Sequence, residues 1–301
     1  MAHKSGARFK HPAPGELVRV NGHHMHVFSE GQGAHTLVFL SGHGTASPTL
    51  DFKPLWSRLT DKYRIAVVEK FGYGWSDITK RPRDLDTMLA ETREALQLAG
   101  IAPPYVLVPH SLSGLEAIYW AQKYPEEVEA IIALDPSIPA FADAIKVSPA
   151  TQAFMKVMSA LVIPLMGKSD TRKALKDRSP SPSYKSDALT DGDRDAYVEL
   201  FKHRTMSPDI LREIKYVQGN MNMINALPLP ADVPLCLFSS TFQDVARTGR
   251  NPEEFLAFHQ DFVSNFKTAK HFLLDCGHYV HAYAPEQIAQ EMEGFLESLE
   301  S

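Results

Sequence analysis

Short apolar runs alternate with stretches of helical periodicity along most of the chain. The runs are continuous and rich in Val, Ile and Leu, as is typical of strands that are buried on both faces. Strands are predicted at 36–40, 64–68, 105–108, 128–134, 235–238 and 271–274, and helices at 52–59, 84–99, 112–124 and 285–299. This alternation predicts an α/β fold, with a mostly parallel central sheet and helices on both of its faces.

A β-hairpin is predicted ahead of this alternation. Residues 16–20 and 24–28 are two short strand-like runs, separated by Asn21-Gly22, a pair that favours a type I′ turn. These strands are expected to add an antiparallel edge to the sheet. The preceding residues 1–15 are polar and basic and lack the apolar core of a secretory signal, so a frayed terminus is expected there.

The alternation is interrupted between residues 136 and 232. This interval contains no strand-like run, yet six of the ten methionines of the chain lie in it. Helices are predicted around 150–163, 191–203 and 207–225, and a solvated loop at 168–184. We interpret residues 136–232 as a helical cap inserted into a core formed by residues 1–135 and 233–301. A methionine-rich apolar surface is plastic and suits the roof of a substrate pocket.

Composition excludes several classes of protein. The chain of 301 residues is 44% hydrophobic and has a formal net charge of −5, which gives no basic field for a nucleic-acid backbone. No apolar run is long enough to span a membrane. The two cysteines, Cys236 and Cys276, lie beside apolar runs and are predicted to be buried, reduced thiols. Together with the missing export signal, this favours a cytoplasmic protein. Neither metal-ligand spacing nor a phosphate-binding glycine loop occurs, so no cofactor or metal is expected.

The strongest local chemical signal is the segment Val108-Pro109-His110-Ser111-Leu112-Ser113-Gly114. A buried strand ends, a serine lies at the corner and a helix begins at once, which is the arrangement of a nucleophile elbow. Ser111 is the predicted nucleophile. Ser113 is the rival, but it would lie one turn into the helix and be followed two residues later by the bulky Leu115. A helix cap is the simpler role for Ser111.

A glycine-containing turn, Ser41-Gly42-His43-Gly44-Thr45, follows the first buried strand. Such a turn at the carboxyl end of a strand directs a backbone N–H into the crevice above the sheet. With the N–H of Leu112 it would form an oxyanion hole. The donor in the turn is assigned to His43, and Thr45 is the alternative.

A histidine and a carboxylate are needed beside such a serine. His278 lies between the last strand and the last helix, where it is placed to act as general base and then general acid. Two carboxylates are candidates for its partner. Asp135 ends a buried strand, where an unpaired charge is costly, and Asp244 follows a later strand by a short loop. Asp135 is preferred, and Asp244 remains the alternative.

These elements, in the order Ser, acid, His, resemble the alpha/beta-hydrolase family over nearly the whole chain outside the terminus and the cap. The resemblance rests on the segments VFLSGHGTASP, YRIAVVEKFGYGWSD, PYVLVPHSLSG and CGHYVHAYAPEQI. The segment LDPSIP, which contains Asp135, is also similar to a stretch of lipases whose acid follows this strand. Pro109 and Ser113 replace the glycines of the usual elbow. A serine nucleophile argues against the haloalkane dehalogenase and epoxide hydrolase branches, which use aspartate.

The resemblance implies a serine hydrolase that cleaves a small carboxylic ester through an acyl-enzyme, with Ser111, His278 and Asp135 as its triad. Amide, thioester or carbon–carbon bond cleavage uses the same triad, and a ligand-binding protein without turnover is the alternative of another class. The expected partner is a small-molecule ester or acyl substrate. The sequence is compatible with a monomer or a homodimer.

Overall fold

A computed structural model of the protein describes residues 9–141, 182–242 and 252–300. Its centre is an eight-stranded sheet with the strand order β1-β2-β4-β3-β5-β6-β7-β8. The strands are β1 (Glu16–Val20), β2 (His23–Glu30), β3 (Thr36–Leu40), β4 (Arg64–Glu69), β5 (Tyr105–Pro109), β6 (Val128–Leu134), β7 (Leu235–Ser240) and β8 (Ala269–Leu274). From β4 to β8 all neighbours are parallel, whereas β2 pairs antiparallel with both β1 and β4. The predicted fold class is therefore confirmed.

Helices follow the strands in the described ranges and are numbered in chain order. They are α1 (Pro48–Asp51), α2 (Lys53–Trp56), α3 (Leu85–Leu98), α4 (Ser113–Lys123), α5 (Asp191–Arg204), α6 (Pro208–Asn225), α7 (Pro252–Ser264), α8 (Val280–Tyr283) and α9 (Pro285–Glu300). None of them combines the length and the apolar character that a membrane span requires.

The continuous apolar runs arise because the sheet is covered on both faces. All five residues of β3 are buried, and alternate side chains enter different clusters. Val38 and Leu40 pack in one core with α3 and α4, whereas Leu37 and Phe39 pack in the other core with α9. A strand that is buried on both faces shows no polar alternation.

The predicted hairpin is present at the edge of the sheet. Asn21 and Gly22 both have positive φ, 48° and 82°, as a type I′ turn requires. The prediction of a frayed terminus is wrong for residues 9–15. There the carbonyl of His11 accepts from the Trp75 indole at 2.9 Å, and the ring of Phe9 lies 4.8 Å from the Arg204 guanidinium.

The structure differs from the prediction in three elements. The helix expected at 52–59 is the shorter α2, and a second short helix, α1, precedes it, because Pro48 and Pro54 each start a new turn. Helix α7 was not predicted, although a parallel crossover between β7 and β8 needs a covering element. The expected loop at 168–184 ends in a buried Tyr184, which packs edge-on against Tyr197.

Between β6 and β7, the predicted cap contributes α5 and α6 to the described residues, close to their expected bounds. Their starts are capped by Thr190 and Ser207, whose side chains accept from backbone N–H groups of the first turn. The helix expected at 150–163 lies outside the described residues.

A buried carboxylate organises the turn that follows β4. Glu69 accepts from the N–H groups of Thr49 at 3.1 Å and Trp75 at 2.7 Å, and it contacts the ring of His26 at 2.9 Å. Burial raises the pKa of Glu69, but the histidine and these N–H donors outweigh it and lower the pKa below its usual value. The chain passes so close to this carboxylate at Gly74 that a Cβ there would lie 1.8 Å from Glu69 Oε2.

Gly74→Ala is expected to destabilise the protein more than Gly22→Ala. Both glycines have positive φ, which costs an alanine about 1–2 kcal/mol. A Cβ at Gly22 meets nothing within 4 Å, whereas one at Gly74 must displace the Glu69 carboxylate, at a further cost of about 1–3 kcal/mol. Denaturant unfolding of both variants measures the difference. Equal losses of stability would contradict this account of the Glu69 turn.

Candidate active site

Ser111 lies at a strained corner between β5 and α4. Its φ is +56°, a left-handed conformation that a serine adopts only when its surroundings impose it. The flanking strands hold this corner, since the His110 N–H donates to Leu40 O at 3.0 Å and the Ser111 N–H donates to Leu134 O at 3.3 Å. A Cβ at Gly42 would lie 2.7 Å from Ser111 Cβ, so only glycine fits beside the predicted nucleophile.

Ser113 is part of the turn. It is fully buried, and its hydroxyl donates to Leu40 O at 2.6 Å while accepting from the His110 N–H at 2.9 Å. A serine at this position therefore replaces the usual glycine by tying the elbow to the end of β3. The hydroxyl of Ser113, the rival nucleophile, is therefore already hydrogen-bonded to partners inside the protein.

His278 and Asp135 are in direct contact. His278 Nδ1 lies 2.6 Å from Asp135 Oδ2, and Asp135 Oδ1 accepts from the Ser240 N–H at 2.9 Å. Asp135 is 1% exposed and has a φ of +45°, which turns its side chain away from the line of β6. A carboxylate on Nδ1 places the proton of a neutral imidazole there, which leaves Nε2 as the basic nitrogen.

The alternative acid, Asp244, lies outside the described residues. Of the two candidate acids, the structure brings Asp135 to His278.

The histidine loop packs on the residue that precedes Ser111. His110 Nε2 lies 3.1 Å from the His278 carbonyl, and the two rings are 4.7 Å apart. His281 packs behind them, 4.7 Å from the ring of His110 and 4.8 Å from that of Phe52. Burial lowers the pKa of His281 to about 3, so this ring is neutral and packs against its neighbours.

The two predicted oxyanion donors flank the elbow. Leu112 is the residue just before α4, and its N–H has no acceptor among the described residues. His43 follows Gly42, which lies against Ser111. The loop is held in shape by Thr45, whose hydroxyl donates to Gly42 O at 3.1 Å. Leu112 thus directly follows the serine in the chain, and the residue before His43 packs against the serine.

Comparison with known proteins identifies the family. A family model described as alpha/beta hydrolase fold matches residues 36–164. Uncharacterized protein YbdG of Bacillus subtilis is 34% identical over 91% of this chain and 83% of its own length. The chain belongs to the alpha/beta-hydrolase family.

The chain is also similar to two further proteins that are relevant to the alpha/beta-hydrolase assignment. A cis-3-alkyl-4-alkyloxetan-2-one decarboxylase of Shewanella oneidensis is 23% identical over 93% of this chain and 87% of its own length. The crystal structure of epoxide hydrolase VrEH1 from Vigna radiata has a TM-score of 0.70, at 17% identity, over 94% of this chain and 97% of that one. The structural likeness concerns the fold.

This alpha/beta hydrolase also carries a buried charge cluster beside the candidate oxyanion loop. Glu213 of α6 accepts from the Tyr73 hydroxyl at 2.6 Å, and its Oε2 lies 3.3 Å from His43 Nδ1. Lys70 pairs with Glu116 within the same cluster. This cluster was not predicted from the sequence. The available signals were a lysine at the end of a buried strand and a glutamate in an apolar helix, since buried charges need partners.

Charge pairing keeps Glu213 ionised although it is 3% exposed. Burial raises its pKa, but the positive charge of Lys70 and the contacts with His43 and Tyr73 outweigh burial and lower the pKa to about 2. Glu213 therefore ties the predicted cap to the loop that carries a candidate oxyanion donor. Among the described residues, no cluster of side chains has the make-up of a metal site.

Glu213→Gln is expected to lower stability in a pH-dependent way. Because the pKa of Glu213 falls from its ordinary 4.5 to about 2 on folding, the ionised form stabilises the protein above pH 4.5, by about 3 kcal/mol near pH 7. This contribution is lost as the pH falls through that window towards 2. Urea unfolding at about pH 7, 5 and 3 compares the variant with the wild type.

Glu94→Gln, at an exposed position of α3, is the control for a loss of charge alone. A stability difference for Glu213→Gln that stays constant from about pH 7 to pH 3 would contradict the assignment of an ionised Glu213.

Proposed function

We propose that the protein is a serine hydrolase that cleaves small carboxylic esters through an acyl-enzyme. Ser111 is the nucleophile, His278 the general base and acid, and Asp135 the carboxylate that orients the imidazole. The N–H groups of Leu112 and His43 hold the oxyanion. Asp244 is the alternative acid.

The proposed reaction runs in two halves. His278 Nε2 takes the proton of the Ser111 hydroxyl while the oxygen attacks the ester carbonyl, and the imidazolium then gives this proton to the leaving alcohol. Water, activated by the neutral imidazole, releases the acid and restores the serine. The Asp135 carboxylate stabilises the imidazolium in both halves without taking up a proton.

The observation that carries this proposal is the contact of His278 with Asp135, together with the packing of His278 on His110, the residue before the strained Ser111. A buried carboxylate 2.6 Å from an imidazole orients the ring and can stabilise the imidazolium that a general base forms in the transition state. The left-handed backbone of Ser111 is the strain expected of a nucleophile elbow.

One relative, by its name, acts on a compound that contains an ester group. The name of the decarboxylase from Shewanella oneidensis describes an oxetan-2-one, which is a cyclic ester. An ester carbonyl is also a less demanding substrate for a serine nucleophile than an amide. We propose that residues 136–232 act as the cap that selects the substrate, and that the protein is cytoplasmic and uses no cofactor.

A fluorophosphonate probe is expected to label Ser111, and Ser111→Ala is expected to abolish both labelling and ester turnover. Because the nucleophile is removed, hydrolysis of p-nitrophenyl acetate should fall by at least about 10³-fold. Ser113→Ala is the matched variant, and it should keep the label on Ser111 while losing stability, since its hydroxyl bonds Leu40 O. Peptide mass mapping locates the label.

A label that survives in Ser111→Ala, or that maps to Ser113, would overturn the assignment of the nucleophile. Tight binding of esters without turnover by the wild type would favour the ligand-binding alternative.

A further inference from the structure

Helix α7 carries a buried histidine directly behind the candidate acid. His259 is 0% exposed, and its Nε2 lies 2.8 Å from the carbonyl oxygen of Pro136, the residue that follows Asp135. On the other side of the ring, Nδ1 lies 2.7 Å from the hydroxyl of Ser239. The proposed chemistry uses neither His259 nor Ser239.

The chemistry of the partners fixes the direction of these hydrogen bonds. A carbonyl only accepts, so the proton of His259 is on Nε2. Burial lowers the pKa of His259 to about 4, so the ring is neutral near pH 7, and its Nδ1 accepts from the Ser239 hydroxyl. The Ser239 oxygen is then left to accept from His271 Nε2, at 2.7 Å.

The carboxyl end of β7, which contains Ser239, also contacts Asp135 directly. Ser239 lies between two residues of β7 that contact the acid. The Asp135 N–H donates to Phe238 O at 2.7 Å, and Asp135 Oδ1 accepts from the Ser240 N–H at 2.9 Å. A closed ring of bonds therefore runs from Asp135 through Pro136, His259 and β7 back to the carboxylate.

We infer that His259 is a positioning residue for Asp135, an inference that rests on the proposed function. By donating to the Pro136 carbonyl, it holds the Pro136–Ser137 peptide and so supports the left-handed turn at Asp135, with φ at +45°, that directs the carboxylate at His278. It acts through the backbone and does not touch the substrate.

Position matters here because the Asp135–His278 contact is short and directional. A carboxylate that rotates or shifts weakens its hydrogen bond to His278 Nδ1, because hydrogen bonds depend steeply on distance and angle. A displacement of about 1 Å at a catalytic group costs up to about 100-fold in rate. An apolar side chain in place of His259 would fill the space and leave the Pro136 carbonyl without its donor.

The test compares His259→Leu with His259→Gln, because glutamine keeps a donor for Pro136 O and an acceptor for Ser239. Gln260→Leu, at the exposed neighbouring position of α7, is the matched control. Two readouts are taken from each protein. One is kcat and KM for p-nitrophenyl acetate, and the other is the low-field proton resonance of the His278 Nδ1–H in ¹⁵N-histidine-labelled protein, identified by its loss in His278→Gln.

His259→Leu is expected to lower kcat about 10–100-fold, with KM changed by less than about threefold, and to move the His278 resonance upfield. His259→Gln is expected to restore most of both, and Gln260→Leu to match the wild type. A folded His259→Leu protein with an unchanged resonance and kcat would overturn the inference.

If His259→Leu does not fold, Ser239→Ala decides, since it breaks the ring of bonds at the link to β7 and is expected to shift the same resonance in the same direction. No shift there would overturn the inference. A wild type without esterase turnover would contradict the proposed function, whereas the resonance would still report whether His259 positions Asp135.

Discussion

The hydrogen bond between the buried Asp135 carboxylate and His278 is the interaction on which the candidate site depends. A carboxylate that is removed from water destabilises the fold unless it is paired and hydrogen-bonded. Here His278 Nδ1 meets one oxygen at 2.6 Å and the Ser240 N–H meets the other at 2.9 Å. This pairing fixes the imidazole and hence the direction of its second nitrogen.

The strand order explains how residues so distant in sequence converge. Strands β5, β6, β7 and β8 are neighbours in the sheet, and parallel strands end at the same edge. Ser111 follows β5, Asp135 follows β6, Ser240 ends β7 and His278 follows β8. Each of four adjacent strands therefore contributes one group to the same edge of the sheet. The crevice outside the carboxyl ends of the strands is the usual ligand site of an α/β sheet.

Much of this could be predicted from the sequence, because the fold leaves local signals. Strands that are buried on both faces read as apolar runs, the Asn21-Gly22 turn marks the hairpin, and Ser111 stands where a strand passes directly into a helix. The elements that were missed leave weaker signals. In the sequence, a polar stretch separates helix α7 from the preceding apolar run. Residues 9–15 show no strand or helix pattern, and their partner Arg204 on α5 is supplied only by the tertiary structure.

The polar networks could not be predicted, since their members are far apart in the chain. Tyr73 and Glu213 are 140 residues apart, and His259 and Pro136 are 123 residues apart. A lone tyrosine, glutamate or histidine has many possible partners, and only the packing of the predicted cap and of α7 against the sheet selects one. These networks hold the loops that carry the site, so its support was less predictable than its central residues.

The most direct test of the central claim is the turnover of p-nitrophenyl acetate by Asp135→Asn and Asp244→Asn. If Asp135 orients and stabilises the His278 imidazolium, Asp135→Asn should lose about 10⁴-fold in kcat, while Asp244→Asn stays close to the wild type. The opposite result, with full activity in Asp135→Asn and its loss in Asp244→Asn, would contradict the account.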